Sequence, residues 1–221
     1  MSLSVLNAVG PPVLVRQQAF QNLRNAIISG EIKPGSRLIE RELCEALGIS
    51  RASVREVIRQ LEAERLVIVE PRRGPTVSRL TRAQAEEIYE LRAVFESQLA
   101  QAYTRVATDE ELQELQAIHG RIKAAAERKE VLGLVFLMVD MTNHMGRVAG
   151  KEVTLDLLNY LGARISALRV TSVSKAGRIE ESMGEIQKIV DAILARDVEG
   201  AGQNTRDYVH NAGRAALERL A

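Results

Sequence analysis

Three arginines of this sequence have the chemistry and spacing to recognise a negatively charged partner. In GISRASVREVIRQLEAERLV they are Arg51, Arg55 and Arg59, four residues apart and directly after a Gly-Ile-Ser corner. Side chains four residues apart share one face of a helix, and a guanidinium group binds phosphate or a base edge through two hydrogen bonds. No acidic residue repeats at this spacing on the arginine face, so we expect the partner to be negatively charged.

The start of this helix has side chains suited to reading double-stranded DNA. The N-terminal residues of a recognition helix face base edges in the major groove, and here they include Ser50, Arg51, Ser53 and Arg55. Arginine matches O6 and N7 of guanine, and the small side chain of Ser53 lets the backbone approach the bases. The alternative is a solvated arginine face on an ordinary three-helix bundle.

Further basic residues flank the predicted recognition helix. Arg41 lies on the preceding short helix, from which it could reach a phosphate. Arg72 and Arg73 lie at the tip of a predicted hairpin, from which they could enter a minor groove or bind phosphate, and Gly74 would let the backbone approach. Together with the arginine face, these residues predict a DNA-binding surface.

The elements that position these side chains are those of a winged helix-turn-helix. Helical periodicity and turn signals predict helices over 15–29, 40–47 and 51–65. The sequence then changes to β-type residues over 66–70 and again over 76–79. A hairpin that directly follows a helix-turn-helix is a wing.

The rest of the chain is predicted to be helical. Thr81 and Thr108 begin capping-box signals, and Asp197 resembles a helix cap. The predicted helices are 81–106, 109–128, 130–148, 151–174, 178–195 and 197–220. The fold class is therefore mainly α: an N-terminal winged helix-turn-helix of three helices and a small β-hairpin, followed by an all-α antiparallel helical bundle.

Composition agrees with a division into two parts. The 221 residues are 46% apolar but only 3% aromatic, which is typical of an α-rich protein with a sizeable core. Residues 1–80 carry 12 Lys and Arg against 8 Asp and Glu, whereas the remainder carries 18 against 21, so only the first part is expected to bind a polyanion. We expect a flexible arm at 1–14, a DNA-binding domain at 15–80, and an effector-binding and dimerisation domain at 81–221.

The expected location is the cytoplasm, with no membrane partner. Cys44 is the single cysteine, so an internal disulfide framework is excluded. No apolar run reaches the roughly 18 residues of a membrane span, and the N-terminus lacks the basic segment of a signal peptide.

Residues 15–80 resemble the winged helix of the GntR family of bacterial transcription regulators. The resemblance rests on the SG-x-x-x-PG-x-x-L turn, the E-x-x-L before the corner and the GISR-x-x-VRE core. Ser53 stands where proline is common in the family, and Arg65 where glycine is common. The resemblance implies that DNA is contacted by Arg41, Ser50, Arg51, Ser53, Arg55, Arg73 and Gly74.

The helical remainder is similar to the FCD effector domain of the FadR-like branch. EEIYELRAVFESQLAQAY and VDMTNHMGRVAG carry this resemblance. It implies an internal pocket that in the family often holds a divalent metal on one Asp and three His. Asp140 and His144 match the first two ligands, but Ile186 and Tyr208 replace the other two. Isoleucine has no ligand atom, so we predict no metal and no other cofactor.

A pocket without metal could still bind a small organic acid. Asp140, His144 and Tyr208 would supply convergent polar groups in a mostly apolar cavity. Arg92 and Arg164 lie on helices that line the cavity in the branch, and either could pair with the carboxylate.

Each of these arginines also has another interpretation. Arg92 could instead form a salt bridge with Glu96, its neighbour at i+4. Arg164 and Arg169 could be ordinary surface residues. We also expect His119 and His210 at the surface.

These features predict a ligand-responsive, sequence-specific DNA-binding transcription regulator. By resemblance it would be a repressor that a small organic acid releases or retunes, acting as a homodimer on a palindromic double-stranded operator. Two alternatives remain: an enzyme-like helical protein that binds a metal or ligand, and a partner-binding helical protein, each with an incidental winged helix. The sequence has no phosphate-binding glycine loop, nucleophile elbow or paired-cysteine motif, so we predict that it is not an enzyme.

Overall fold

The chain divides at Arg79 and Leu80 into two units, and the computed structural model describes residues 13–71, 73–175 and 177–218. The first unit contains helices α1 (Val13–Ile28), α2 (Glu40–Leu47) and α3 (Arg51–Ala63) and strands β1 (Val67–Glu70) and β2 (Gly74–Val77). The second contains α4 (Arg82–Val106), α5 (Asp109–Glu127), α6 (Val131–Val148), α7 (Glu152–Arg164), α8 (Ser166–Val173), α9 (Arg178–Leu194) and α10 (Val198–Leu217). The predicted fold class is confirmed.

The predicted recognition helix, α3, forms for local reasons and is held by its apolar face. Gly48, at a φ of 65°, ends α2, and Ser50 then caps α3 by accepting a hydrogen bond from the Ser53 N–H at 3.2 Å. The side chains that α3 buries are Val54, Val57, Ile58 and Leu61, as the periodicity predicted. The polar face is thereby fixed toward solvent.

The wing is a short antiparallel hairpin that is paired on both sides of β2. Val67 lies opposite Val77, and Glu70 lies opposite Gly74. On the other edge of β2, the Leu38 N–H donates to the Pro75 carbonyl at 2.8 Å. β2 begins two residues earlier than predicted, because Gly74 adopts a φ of 76° and turns the chain directly into the strand.

The ends of two helices in the first unit differ from the predictions. α3 ends at Ala63 because Arg65 takes a left-handed conformation, with a φ of 59°, and the Leu66 N–H donates to the Leu61 carbonyl at 2.9 Å. α1 begins at Val13, two residues before the predicted start. The rest of the predicted arm lies outside the described residues.

In the second unit, α4 and α10 pack closely against each other. A Cβ atom added at Gly213 would lie 2.9 Å from Cγ of Tyr89, and one added at Gly202 would lie 2.7 Å from Cγ of Gln101. At Gly213, a larger residue would clash with the buried Tyr89 ring, so glycine permits this approach of the helices. The capping boxes at Thr81 and Thr108 and the Asp197 cap all form as predicted.

One predicted helix of this unit is wrong. The segment 151–174 is two helices, α7 and α8, which meet at Ile165 with a φ of −101° and a ψ of 6°. The Ser166 hydroxyl donates to the Ala163 carbonyl at 2.7 Å and so satisfies a backbone acceptor at the break. Because the helix is broken here, α8 does not continue the axis of α7, and it packs against α10.

Candidate nucleic-acid interface and effector cavity

The first turn of α3 presents its polar side chains to solvent. Ser50, Arg51 and Arg55 are exposed, and Ser53 is half-buried beside the cap, with its hydroxyl 3.0 Å from that of Ser50. Among the described residues, Arg51 takes part in no ion pair, so its guanidinium is available to a DNA ligand. The helix N-terminus adds a partial positive charge that favours a phosphate.

The expectation that the arginine face lacks acidic partners is wrong. Arg55 Nε donates to both carboxylate oxygens of Glu40 at 3.0 Å, and Arg59 Nη1 lies 3.4 Å from Glu56 Oε2. The first partner comes from α2, which packs against α3, and the second lies three residues back on α3 itself. The hydrogen bond and charge of Glu40 raise the pKa of Arg55.

Arg41 is also paired, since its Nη1 lies 3.3 Å from Oε1 of Glu45 on the same helix. Exposed pairs of this kind contribute little to stability. A DNA phosphate can therefore replace the carboxylate at small cost.

At the wing, Arg73 is exposed and its Nη1 lies 3.4 Å from Oε2 of Glu70. Gly74 supplies the left-handed turn that places the tip. Arg72 lies outside the described residues. Sequence reasoning missed Arg37, an exposed residue bridged to Thr76 of β2, whose Nη2 lies 3.9 Å from the position of a Cβ on Gly74. The sequence offered one signal for this position: Arg37 lies in PGSRL, the turn segment that pairs with β2.

The helical unit contains a small internal cavity between α4, α6, α8, α9 and α10. Its apolar wall consists of Met138, Met141, Met145, Ile186 and Ile189. Its polar wall includes Glu96, Arg169, Thr205 and Tyr208. The volume is about 10 Å³, close to the minimum that holds one water molecule.

The structure does not bring the predicted effector residues together. Tyr208 lines the cavity, but Arg92, Asp140, His144 and Arg164 do not. On α6, Met141 and Met145 face the cavity. Asp140 and His144 each precede one of these methionines by one residue, and one residue corresponds to a rotation of about 100° around the helix.

Asp140 and His144 therefore point elsewhere. Asp140 is exposed, and His144 is buried with Nε2 3.2 Å from the Tyr103 hydroxyl and 3.2 Å from the Glu111 carbonyl. Of the two, His144 contacts α5 through Glu111, whereas Asp140 faces solvent. Arg164 is half-buried at the end of α7.

The two arginines of the interior have different environments. Arg92 is buried and forms the salt bridge that was the alternative prediction, with Nη2 2.6 Å from Glu96 Oε1. Its guanidinium carbon also lies 5.4 Å from the centre of the Tyr89 ring. Arg169 lines the cavity, which corrects the expectation of a surface residue; the break at Ile165 places α8, and with it Arg169, against the interior.

The described residues do not fit the divalent metal of the FCD branch. They contain no group of three or more His, Cys, Asp and Glu residues that could hold an ion. Ile186, at one family ligand position, is fully buried and lines the cavity with an apolar side chain. Tyr208, at another, donates its hydroxyl to the Met138 sulfur at 3.2 Å.

Comparison with known proteins agrees with both units. The family model of the bacterial regulatory proteins of the gntR family matches residues 15–77, and the FCD domain model matches residues 87–211. The chain belongs to the gntR family and carries an FCD domain. It is a DNA-binding transcription regulator and not an enzyme, which removes the enzyme-like alternative.

Two curated relatives and one solved structure illustrate the similarity. The chain is 26% identical to the HTH-type transcriptional regulator YdhC of Bacillus subtilis over 195 residues, with 85% of this chain and 84% of the relative covered. It is 25% identical to the HTH-type transcriptional repressor RspR of Escherichia coli, with coverage of 88% and 86%. The structure of E. coli McbR/YncC shares the fold at a TM-score of 0.82 and 20% identity, with 97% and 100% covered.

In the part of the chain that the structure describes, none of the helices combines the length and apolar character needed to cross a membrane.

Proposed function

We propose that this gntR-family protein is a cytoplasmic repressor that binds a palindromic operator as a homodimer and responds to a small organic acid. The N-terminal unit reads the DNA, and the helical unit binds the acid. Binding of the acid changes the affinity for DNA by a coupling free energy, which is typically about 1–3 kcal/mol and corresponds to about 5- to 150-fold.

The observation that carries the DNA-reading proposal is the exposed, capped first turn of α3. Arg51 is without an ion pair among the described residues, and Glu40 orients Arg55 on the same face through two hydrogen bonds. A bidentate arginine contact with guanine requires such an orientation. Arg41, Arg73 and the Gly74 turn would bind the backbone on either side.

Repression is supported by two relatives that are named as repressors. RspR is a repressor, and so is the gluconate operon transcriptional repressor of Bacillus licheniformis, which is 28% identical over 169 residues. A dimer that occupies a promoter can repress by excluding the polymerase.

The homodimer is supported by exposed apolar side chains on two helices of the second unit that contact each other. On α7 they are Val153, Leu157 and Tyr160, which recur at helical spacing, and on α4 they are Leu91 and Val94. Exposed apolar side chains on neighbouring helices are typical of a protein interface, and a twofold dimer suits two half-sites of a palindrome. A monomer in light scattering at micromolar concentration would contradict this assignment.

A selection experiment tests the DNA-reading proposal. The full-length protein is used to select binding sites from a pool of random duplexes, and the enriched duplex is measured against a scrambled one. Arg51→Ala and Arg55→Ala should each lose about 1–3 kcal/mol of discrimination between the two.

Arg59→Ala is the matched control, because Arg59 lies on the same helix two turns beyond its start. This variant should keep the base preference of the wild type. Normal discrimination by Arg51→Ala and Arg55→Ala would show that α3 does not read the operator.

A further inference from the structure

Three charged side chains form a cluster in the interior of the helical unit: Arg92, Glu96 and Arg169. The cluster has two positive charges and one negative charge. Arg92 and Glu96 neutralise each other at 2.6 Å. Glu96 and Arg169 line the cavity; Arg169 is half-buried, and among the described residues it forms no ion pair. Even partial removal of a charge from water without a partner costs free energy, so an unpaired arginine at a cavity wall points to a ligand of opposite charge.

Arg92, Arg169 and Tyr208 lie close enough together to influence one another's pKa values. Burial, and next the charge of Arg92, lower the pKa of Arg169. Burial raises the pKa of Tyr208, and the positive charge of Arg169 is the largest influence that opposes the rise. Arginine stays protonated in proteins, so the charge on Arg169 persists.

Two tyrosine hydroxyls of the cluster lack a strong acceptor. Tyr208 donates only to the sulfur of Met138, at 3.2 Å, and a thioether is a weak acceptor. The Tyr89 hydroxyl is buried without any hydrogen-bond partner among the described residues. Burial raises the pKa of Tyr89, and the charges of Arg92 and Arg169 oppose this rise. Buried hydroxyl groups normally form hydrogen bonds. The two tyrosine hydroxyls are therefore available as donors to a ligand, beside the unpaired positive charge of Arg169.

We infer that this cavity binds a short-chain monocarboxylate directly, without a metal, through the Arg169 guanidinium and the Tyr208 hydroxyl. This inference rests on the proposed function, since it specifies the effector of the same regulator. One carboxylate balances the single excess charge of the cluster, whereas a dicarboxylate would bury a second charge without a partner.

The apolar wall selects the other end of the ligand. Half of the residues that line the cavity are Met or Ile, so an alkyl chain finds an apolar surface to contact. The cavity of about 10 Å³ must enlarge to admit a ligand. Met138, Met141 and Met145 form the adaptable part of the wall, because methionine side chains repack at low cost.

Tyr208 also provides an access route. It lines both the internal cavity and a surface cleft of about 380 Å³, which Lys188 and Asn204 also line. Tyr208 is thus common to the two spaces, and one weak hydrogen bond to sulfur holds its hydroxyl. Rotation of this side chain would join the cleft to the cavity, and the acid would then accept the released hydroxyl.

The test measures the melting temperature of the full chain with propanoate and with propanamide, its neutral isostere. Propanoate should raise the melting temperature of the wild type by mass action, whereas propanamide should not, and a chelator should leave the rise unchanged. In Arg169→Met, the response of the melting temperature to propanoate should be lost.

Two further variants complete the test. Arg206→Met removes an exposed arginine of α10 and should respond like the wild type. Tyr208→Phe keeps the ring and removes only the hydroxyl, and it should bind propanoate more weakly, whereas Arg169→Met should lose about thirtyfold or more in affinity.

Several results would overturn the inference. They are an equal response of Arg169→Met and the wild type to propanoate, no response of the wild type to any acid from acetate to hexanoate, and a response that a chelator abolishes. Failure of the proposed function would differ: propanoate would stabilise the wild type through Arg169, but the affinity for the selected duplex would not change.

Discussion

Arg55 of α3 and Glu40 of α2 form a forked contact, in which the Arg55 Nε lies 3.0 Å from each carboxylate oxygen of Glu40. The contact joins the predicted recognition helix to the helix before it and favours one orientation of the guanidinium. An acidic residue next to a DNA-binding arginine weakens the general attraction for phosphate. Its benefit must then lie in positioning, which matters for a bidentate contact with a base.

The contact predicts that Glu40→Gln reduces specificity while raising general affinity. Loss of a negative charge should strengthen binding to any duplex, but the released Arg55 should discriminate less well, by up to about tenfold. The measurement is competition between the selected and the scrambled duplex. Glu42→Gln removes the same charge from an exposed position of α2 and should raise general affinity only. If both variants discriminate equally between the selected and the scrambled duplex, Glu40 does not position Arg55.

Arg37 provides a prediction about the DNA backbone. Its exposed side chain lies beside Gly74 at the wing, so we expect it to bind a phosphate. Arg37→Ala should weaken binding to all duplexes alike and reduce the slope of log affinity against log salt by about 1. Arg121→Ala, at an exposed position of the helical unit, should leave the slope unchanged. If Arg37→Ala changes the base preference, Arg37 contacts a base and not a phosphate.

Much of the N-terminal unit could be predicted from its sequence because its determinants are local. The Ser50 cap, the buried side of α3 and the hairpin each depend on residues that are close in the chain. The partner of Arg55 could not be predicted in this way. Glu40 is 15 residues away, and the contact depends on how α2 and α3 pack.

Arg65 predicts a gain in stability from a single substitution. Its φ of 59° is unfavourable for a residue with a Cβ atom, and its side chain is exposed. Arg65→Gly should therefore increase the free energy of unfolding by about 1 kcal/mol in urea denaturation. Arg59→Gly, inside α3, should reduce it by about 1 kcal/mol. A loss of stability in Arg65→Gly would show that this arginine makes a stabilising contact.

His119 predicts how stability depends on pH. The expectation that it lies at the surface is wrong: it is buried, and its Nε2 has no hydrogen-bond partner among the described residues. Burial, and next the charge of Lys123, lower the pKa of His119 from 6.5, while Asp191 opposes this. Below pH 6.5 the unfolded chain thus binds a proton that the folded chain at first does not.

The stabilisation from neutral His119 is therefore complete above pH 6.5 and is lost as the pH falls below that value toward the folded pKa. His119→Gln should flatten the decline of the melting temperature over this acidic range. His210→Gln, at an exposed position, should keep it. The same decline in both variants would mean that other groups cause it.

The effector cavity was harder to predict than the DNA-binding surface. Asp140 and His144 share a helical face, as their spacing requires, but the sequence does not determine which neighbour that face meets. The position of Arg169 depends on the break at Ile165, where β-branched and small residues gave no clear stop signal. Ile186 was the informative residue, since its replacement of a ligand histidine already argued against metal.

The most direct test of the account is the affinity of the full-length protein for its selected duplex, without and with a saturating monocarboxylate that raises the melting temperature. Fluorescence anisotropy of the labelled duplex at fixed salt gives both values. We predict that the acid weakens DNA binding by about 5- to 150-fold and that Arg169→Met binds the duplex but does not respond. Equal affinities with and without the bound acid would contradict the proposal that the helical unit controls the DNA-binding unit.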